Sequence, residues 1–348
     1  MLPHLQTFPA TSVFIPFYVV LLLSLWKANI VAFLIFWQRN CMLSKSSTYY
    51  LMAISVADTL VLIFIVIIEL VLKFHILEPF WARDPWCTIR DIFNYGAYNA
   101  SVWLVVTFTV ERFIAISTFR LKTKLCTARC AIMVISLTFI LSYLLAVPYF
   151  WSNHSQARPI SNNVTESLEI LYICVYKRNI SYLFVHGLVW FQTIFDYIVP
   201  FVIIFTLNGL TLRLIMQSNK VHQSCEVKGK DNSAGSLYFR AQKRKSIVLL
   251  ITVSMSFALL CATRLVTQLI LRITYYDIDR MDYSQTINVV ADIGSMLDLT
   301  NMAINMYLYA CTQPKFRKEL LYCVNAMLCP CKHCKRFHAD STAVIFQL

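Results

Sequence analysis

Charge is scarce in this sequence. Only 14% of its 348 residues are Asp, Glu, Lys or Arg, whereas 58% are apolar; a soluble globular domain is about a quarter charged. Glycine is scarcer still, six residues in all, and no phosphate-cradling Gly-rich loop occurs. There is no His-Glu-x-x-His zinc motif and no paired-Asp arrangement, so nothing supports an intramembrane enzyme. No basic stretch precedes the first apolar run, so a cleavable signal peptide is not expected and that run should serve as its own targeting signal. No internal repeat is visible, which argues against a transporter built from inverted repeats.

What the chain has is long apolar runs, with a mean hydropathy of +0.60. Seven can be marked: Val13 to Trp37, Tyr49 to Leu72, Ile89 to Ile116, Ala131 to Phe150, Leu188 to Ile215, Ile247 to Leu271, and Thr286 to Cys311. Each has the length, about 20 residues, that a tilted transmembrane helix needs. A closed β-barrel would show short alternating segments instead. The expected fold is therefore an all-α membrane protein, a bundle of seven transmembrane helices. Residues 1–12 are expected outside the cell, 13–311 in the bundle, and 312–348 in a short eighth helix and cytoplasmic tail.

The net charge of +13 has a location. Most of the 31 basic residues lie in what become cytoplasmic connections if the N-terminus is outside: Arg39 and Lys45, then Arg120 to Arg129, then Arg213 to Lys245, then the tail from Lys315. This is the positive-inside pattern and a surface for anionic lipid, not a sign of nucleic acid. Asn-x-Ser/Thr sequons at Asn153, Asn163 and Asn179 all fall in the second outside loop as glycosylation candidates. Of twelve cysteines, only Cys87 and Cys174 fall outside, in the oxidising compartment, and they can form one intramolecular disulfide. The third cytoplasmic loop, about Gln217 to Arg240, reads as short and polar.

The spacing of particular residues resembles the class A (rhodopsin-like) G-protein-coupled receptors over about Val13 to Cys334, and within them the peptide-type, FMRFamide-receptor-like orphan receptors. Glu111-Arg112-Phe113 ends the third run, 25 residues after Cys87, and is similar to the family's Asp-Arg-Tyr. Asn29 and Asp58 match its intramembrane Asn and Asp. The resemblance implies an allosteric Na⁺ at Asp58, with Ser101, Asn301 and Asn305 as oxygen-bearing neighbours; a hydrogen-bonded carboxylate with no ion is the alternative. Pro200 matches the fifth-helix proline, and Asn208 stands at a switch position that is often tyrosine. Asn305 and Tyr309 remain from Asn-Pro-x-x-Tyr, without the proline. The sixth-helix Cys-Trp-x-Pro has become Cys261-Ala262-Thr263-Arg264, which puts its usual kink in question. Gln313-Pro-Lys-Phe316-Arg317 is similar to the amphipathic eighth helix, with Phe316 expected to dip into the membrane interface. Juxtamembrane Cys323, Cys329, Cys331 and Cys334 are palmitoylation candidates; their crowding does not match zinc-site spacing.

By this resemblance, Glu111 holds Arg112 at rest, and its release lets Arg112 meet a heterotrimeric G protein; arrestin and membrane lipid are the other expected partners. The expected place is the plasma membrane. Glu69, Asp91, Arg264, Gln268 and Asp298, in the outer halves of the helices, are ligand candidates, because charge at such depth needs a partner. Arg264 either receives an acidic or carbonyl group of the ligand or pairs internally with an acid such as Asp298 or Glu69. No lysine lies between Thr286 and Cys311, which excludes a retinal Schiff base. The third run presents Asn94 and Tyr95 in its outer half, with no well-placed acid for a monoamine. A neuropeptide or other small peptide is the first expectation; an amino acid or small metabolite is the alternative, as is a non-coupling decoy.

Overall fold

The structure, a computed structural model, describes residues 26–38, 43–66, 83–117, 119–161, 168–176, 182–226, 234–273 and 285–328. Its helices follow the apolar runs. The first crossing is described over Trp26–Gln38 and the second over Lys45–Val61, continued by a π turn Leu62–Val66. The third is Trp86–Ser117, followed by a short helix Phe119–Leu125. The fourth is Ala128–Ala146, closed by the 3₁₀ turn Val147–Trp151. The fifth runs from Tyr182–Thr193 through a π turn, Ile194–Ile198, into Val199–Glu226. The sixth is Ala234–Ile273, the seventh Thr286–Thr312, and a tail helix occupies Pro314–Leu328.

Among the described residues five helices are long and apolar enough to cross a bilayer. The seventh is diluted by Asp298, Asn301 and Asn305, all buried in the bundle. Lipid offers no hydrophobic drive between helices, so packing depends on small residues that let backbones approach. Ala32, Ala57, Ala97, Ala100 and Ala291 accordingly sit fully buried, whereas the fourth crossing turns Met133, Ile140 and Leu144 outward. The third crossing is the central strut, touching the second, fourth, fifth and sixth; the sixth and seventh pack closely on each other.

Three features depart from the sequence reading, while the disulfide and the unbroken sixth crossing agree with it. The third cytoplasmic loop is mostly helix: the fifth crossing continues to Glu226 and the sixth begins at Ala234. Polarity marks where lipid ends, not where a helix ends. The second outside loop is not all-α, because Asn153–Ser161 (β1) and Leu168–Tyr176 (β2) pair as an antiparallel hairpin with Ser155 opposite Cys174. The Cys87–Cys174 disulfide ties β2 to the start of the third crossing, at a Cα–Cα distance of 5.7 Å. The sixth crossing runs 40 residues without a break, as expected once Arg264 replaces a proline. Phe316 does not dip into the interface. It is fully buried, its ring 5.1 Å from Phe36 and 5.8 Å from Tyr309, while Lys315, Arg317 and Lys318 stay exposed.

Pro200 acts as expected of a residue without an N–H. One residue before it, the Val199 N–H bonds to the Ile194 carbonyl, a five-residue step that defines the π turn. The third and fourth crossings meet at Gly96, where an added Cβ would lie 2.5 to 2.9 Å from the Tyr143 ring. Gly96→Ala should lower the thermal stability of the detergent-solubilised protein by about 1–3 kcal/mol, the usual cost of overpacking. Gly96→Ala combined with Tyr143→Ala should recover part of that loss in the same melting assay.

Candidate functional site

Three polar regions lie inside the bundle, one towards the end that carries the disulfide, one around Asp58 and one at the end that carries Arg112. The first is a cavity of about 230 Å³ lined by residues of the second, third, fifth, sixth and seventh crossings. Asp91, Arg264, Gln268 and Asp298, four of the five residues singled out in sequence, line it with Asp292, Asn94 and Gln192. Glu69 lies outside the described residues. Helical spacing explains the convergence: Arg264 and Gln268 are one turn apart on the sixth crossing, as are Asp91 and Tyr95 on the third.

At the cavity floor Arg264 has an internal partner. Its Nε is 3.2 Å from Asp298 Oδ2 and donates to Tyr197 Oη at 2.7 Å, and its Nη1 donates to Ser295 Oγ. Asp298, 2% exposed, also receives the Tyr98 hydroxyl at 2.9 Å and the Cys261 thiol at 3.1 Å. Tyr98 and Tyr197 hydroxyls lie 2.8 Å apart. Four side chains from four helices thus surround one ion pair, whose carboxylate is buried and whose guanidinium is partly open to the cavity. An isolated charge in this setting costs far more than a paired one, so each member holds the others in place. Gly294 makes the pairing possible, since a Cβ there would come within 3.1 Å of the Arg264 backbone.

Sequence reading passed over Tyr98, Tyr197 and Ser295, ordinary residue types on apolar helices. It also passed over Asp196, fully buried, whose two oxygens accept from Asn99 at 2.9 Å with the amide nitrogen turned towards them. An acid inside Phe-Asp-Tyr-Ile-Val-Pro was a legible signal, because carboxylates in transmembrane runs are rare and functional or paired. Near the cavity wall, Arg90 Nε pairs with Asp91 at 3.1 Å and Arg272 donates to Gln268 at 3.1 Å.

Deeper in the bundle Asp58, 1% exposed, accepts from Ser101 at 2.5 Å and from Asn305 Nδ2 at 2.6 Å. Ser101 Oγ is also 3.0 Å from Met302 Sδ. Asn301 is buried, but no described hydrogen bond joins it to Asp58. Asn29 donates to the Met302 carbonyl at 3.0 Å, and its own side-chain oxygen has no partner among the described residues.

At the far end Glu111 and Arg112 form a buried ion pair between neighbouring side chains. Ser46 donates to Glu111 Oε1 at 2.7 Å, Arg112 Nη2 reaches Ser44 Oγ at 3.2 Å, and the guanidinium sits 5.7 Å from the Phe108 ring centre. Asn208 is buried with neither amide atom partnered among the described residues; Thr211, one turn on, and the Tyr309 hydroxyl are in the same condition. Cys323 is half-buried against the core, while Asn163, Asn179, Cys329, Cys331 and Cys334 lie outside the described residues. Asn153 opens β1.

A seven-helix bundle with a disulfide-tied outer loop, a polar chamber and a buried Glu-Arg pair defines a receptor architecture. Residues 28–309 match the family of seven-transmembrane receptors of the rhodopsin type, and the chain belongs to that family. It is therefore a multi-pass membrane receptor and not an enzyme. Over 233 residues it is 24% identical to an FMRFamide receptor of Drosophila melanogaster, an alignment that takes in 65% of this chain and 37% of that protein. The chain thus spans well under half the length of this curated relative.

The ion pair yields a direct test. Arg264→Gln alone should destabilise the protein by about 3–5 kcal/mol, because it strands the buried Asp298 carboxylate; Asp298→Asn alone should cost less, because the guanidinium it leaves is partly open to the cavity. The double variant, which strands none, should melt close to the parent. Surface expression and thermal unfolding in detergent read both outcomes.

Proposed function

We propose that this receptor binds a peptide at the disulfide-bearing end and activates a heterotrimeric G protein at the Arg112 end. The observation that carries the reading is the contrast within the inner region. Arg112 is fully engaged by Glu111 and Ser44, while Asn208, Thr211 and Tyr309 hold buried polar atoms without partners among the described residues. Buried polar groups left unmade cost about 1–3 kcal/mol each, so these groups favour a second arrangement in which they are used. Ligand binding would stabilise that arrangement by binding it better than the resting one. The peptide class rests on the FMRFamide receptor relative and on a chamber that sets acids, Arg264 and amides among tyrosines, Ile65 and Leu299, suited to the amide, charged and apolar groups of a peptide end.

Further parts of the reading follow from the same frame. The receptor sits in the plasma membrane with its N-terminus outside, its hairpin loop glycosylated, its basic inner surface on anionic lipid, and arrestin as a second inner partner. Palmitoylation belongs to the tail cysteines beyond Leu328, since Cys323 faces the core. The Asp58 region suits Na⁺: carboxylate, hydroxyl and amide oxygens are the donors a hard cation takes, and the Asn29 side-chain oxygen has no partner among the described residues. Asp58, Ser101 and Asn301 would hold the ion; the Met302 thioether is too soft to join them.

The test is nucleotide exchange on a panel of G-protein subtypes, with the receptor in nanodiscs. Basal or peptide-evoked exchange should vanish in Arg112→Ala. A well-folded parent that stays silent with every subtype and every peptide would overturn the reading and leave a decoy. Replacing choline with sodium at constant ionic strength should lower basal exchange, and Asp58→Asn should abolish that response.

A further inference from the structure

The Glu111-Arg112 pair does not stand alone. It rests on Ser44-Lys45-Ser46-Ser47, the start of the second crossing. Ser44 is the N-cap: its Oγ accepts the Ser47 N–H at 3.3 Å and lies 2.7 Å from Ser47 Oγ and 3.2 Å from Ser46 Oγ. The cap fixes the first turn and so fixes Ser46, which is 1% exposed. Two serines of this turn then divide the ion pair between them. Ser44 Oγ faces Arg112, at 3.2 Å. Ser46 Oγ donates to Glu111 Oε1 at 2.7 Å and accepts more weakly from Arg112 Nη2 at 3.4 Å, so it alone of the two touches the carboxylate.

The division matters because the two contacts differ between states. At rest Glu111 has both the Arg112 guanidinium and the Ser46 hydroxyl. Once Arg112 departs, the carboxylate remains buried, and Ser46 is its donor. A helix N-terminus also favours an anion beside it, and the second crossing presents its N-terminus to Glu111. Removing a donor that is one of several costs little; removing the last one strands a buried charge. Ser46 therefore stabilises the released state more than the resting state, whereas Ser44 contacts Arg112 only at rest.

We propose that Ser46 is a positioning residue for coupling, which takes over the Glu111 carboxylate when Arg112 leaves and so makes that departure affordable. This rests on the reading that Arg112 couples to a G protein. It makes two neighbouring serines act with opposite sign, which a purely structural role would not.

Nucleotide exchange by the receptor in nanodiscs tests it, with melting temperature confirming that each variant is folded. Ser46→Ala should lower basal and evoked exchange roughly five- to tenfold. Ser44→Gly, which N-caps tolerate, should raise basal exchange. Glu111→Gln removes the charge that would be stranded, so on that background Ser46→Ala should change exchange by less than about twofold. Should the alanine variant fail to fold, Ser46→Cys, a near-isosteric and weaker donor, should show a smaller drop with the same dependence on Glu111. Unchanged or raised exchange in Ser46→Ala, or an equal drop on the Glu111→Gln background, overturns the proposal while leaving Arg112 coupling intact. Unchanged exchange in Arg112→Ala overturns the coupling reading itself, and this proposal with it.

Discussion

Hydrocarbon cannot solvate a charge, and this chain places Asp58, Glu111, Arg112, Asp196, Arg264 and Asp298 inside its crossings. Each is met by a partner from another helix or a neighbouring side chain: Ser101 and Asn305 for Asp58, Arg112 and Ser46 for Glu111, Asn99 for Asp196, Arg264 for Asp298. The obligation to satisfy these groups fixes rotation and depth for every crossing they join. Apolar packing alone would tolerate many rotations of an alanine-lined helix. Polar pairing does not.

The same obligation explains how the bundle does without two prolines. The sixth and seventh crossings run unbroken, and their contact is made by an ion pair, a hydroxyl, a thiol and a close backbone approach at Gly294. The hinge that a proline supplies within one helix is here absent from both. What remains is a polar bond between two unbroken helices. Motion at the Arg112 end then starts from two helices tied at the cavity floor, and the fifth crossing keeps a built-in irregularity in its π turn and Pro200.

Much of this was legible in the residues, for identifiable reasons. Length and apolarity of the runs mark the crossings, because bilayer thickness imposes one scale on all of them. Cys87 and Cys174 were legible because compartment leaves them no other partner outside. Asp58, Glu111, Arg112 and Arg264 announced themselves as charges in apolar surroundings. The Asp298 partner of Arg264 was one of two acids open to it, since helix rotation is set by packing across the bundle and no local pattern encodes it. The hairpin was not legible, as its strands carry no clean alternation. Nor was the burial of Phe316: an amphipathic helix has the same sequence whether its apolar face meets lipid or protein. The serines at 44 and 46 precede the apolar run that begins at Tyr49, and only the third crossing beside them reveals what they hold.

The Arg264-Asp298 pair also constrains how this receptor can change over generations. A single substitution at 264 to the proline common in the family would strand Asp298, and a single neutral replacement at 298 would strand Arg264. The first step passes through a poorly folded intermediate, the second frees a cation at the chamber floor, and a larger residue at 294 would press on the Arg264 backbone in any case. The three positions are therefore expected to drift as a set, changing together or hardly at all. Variation in ligand recognition is then expected around the pair, in the chamber wall above it.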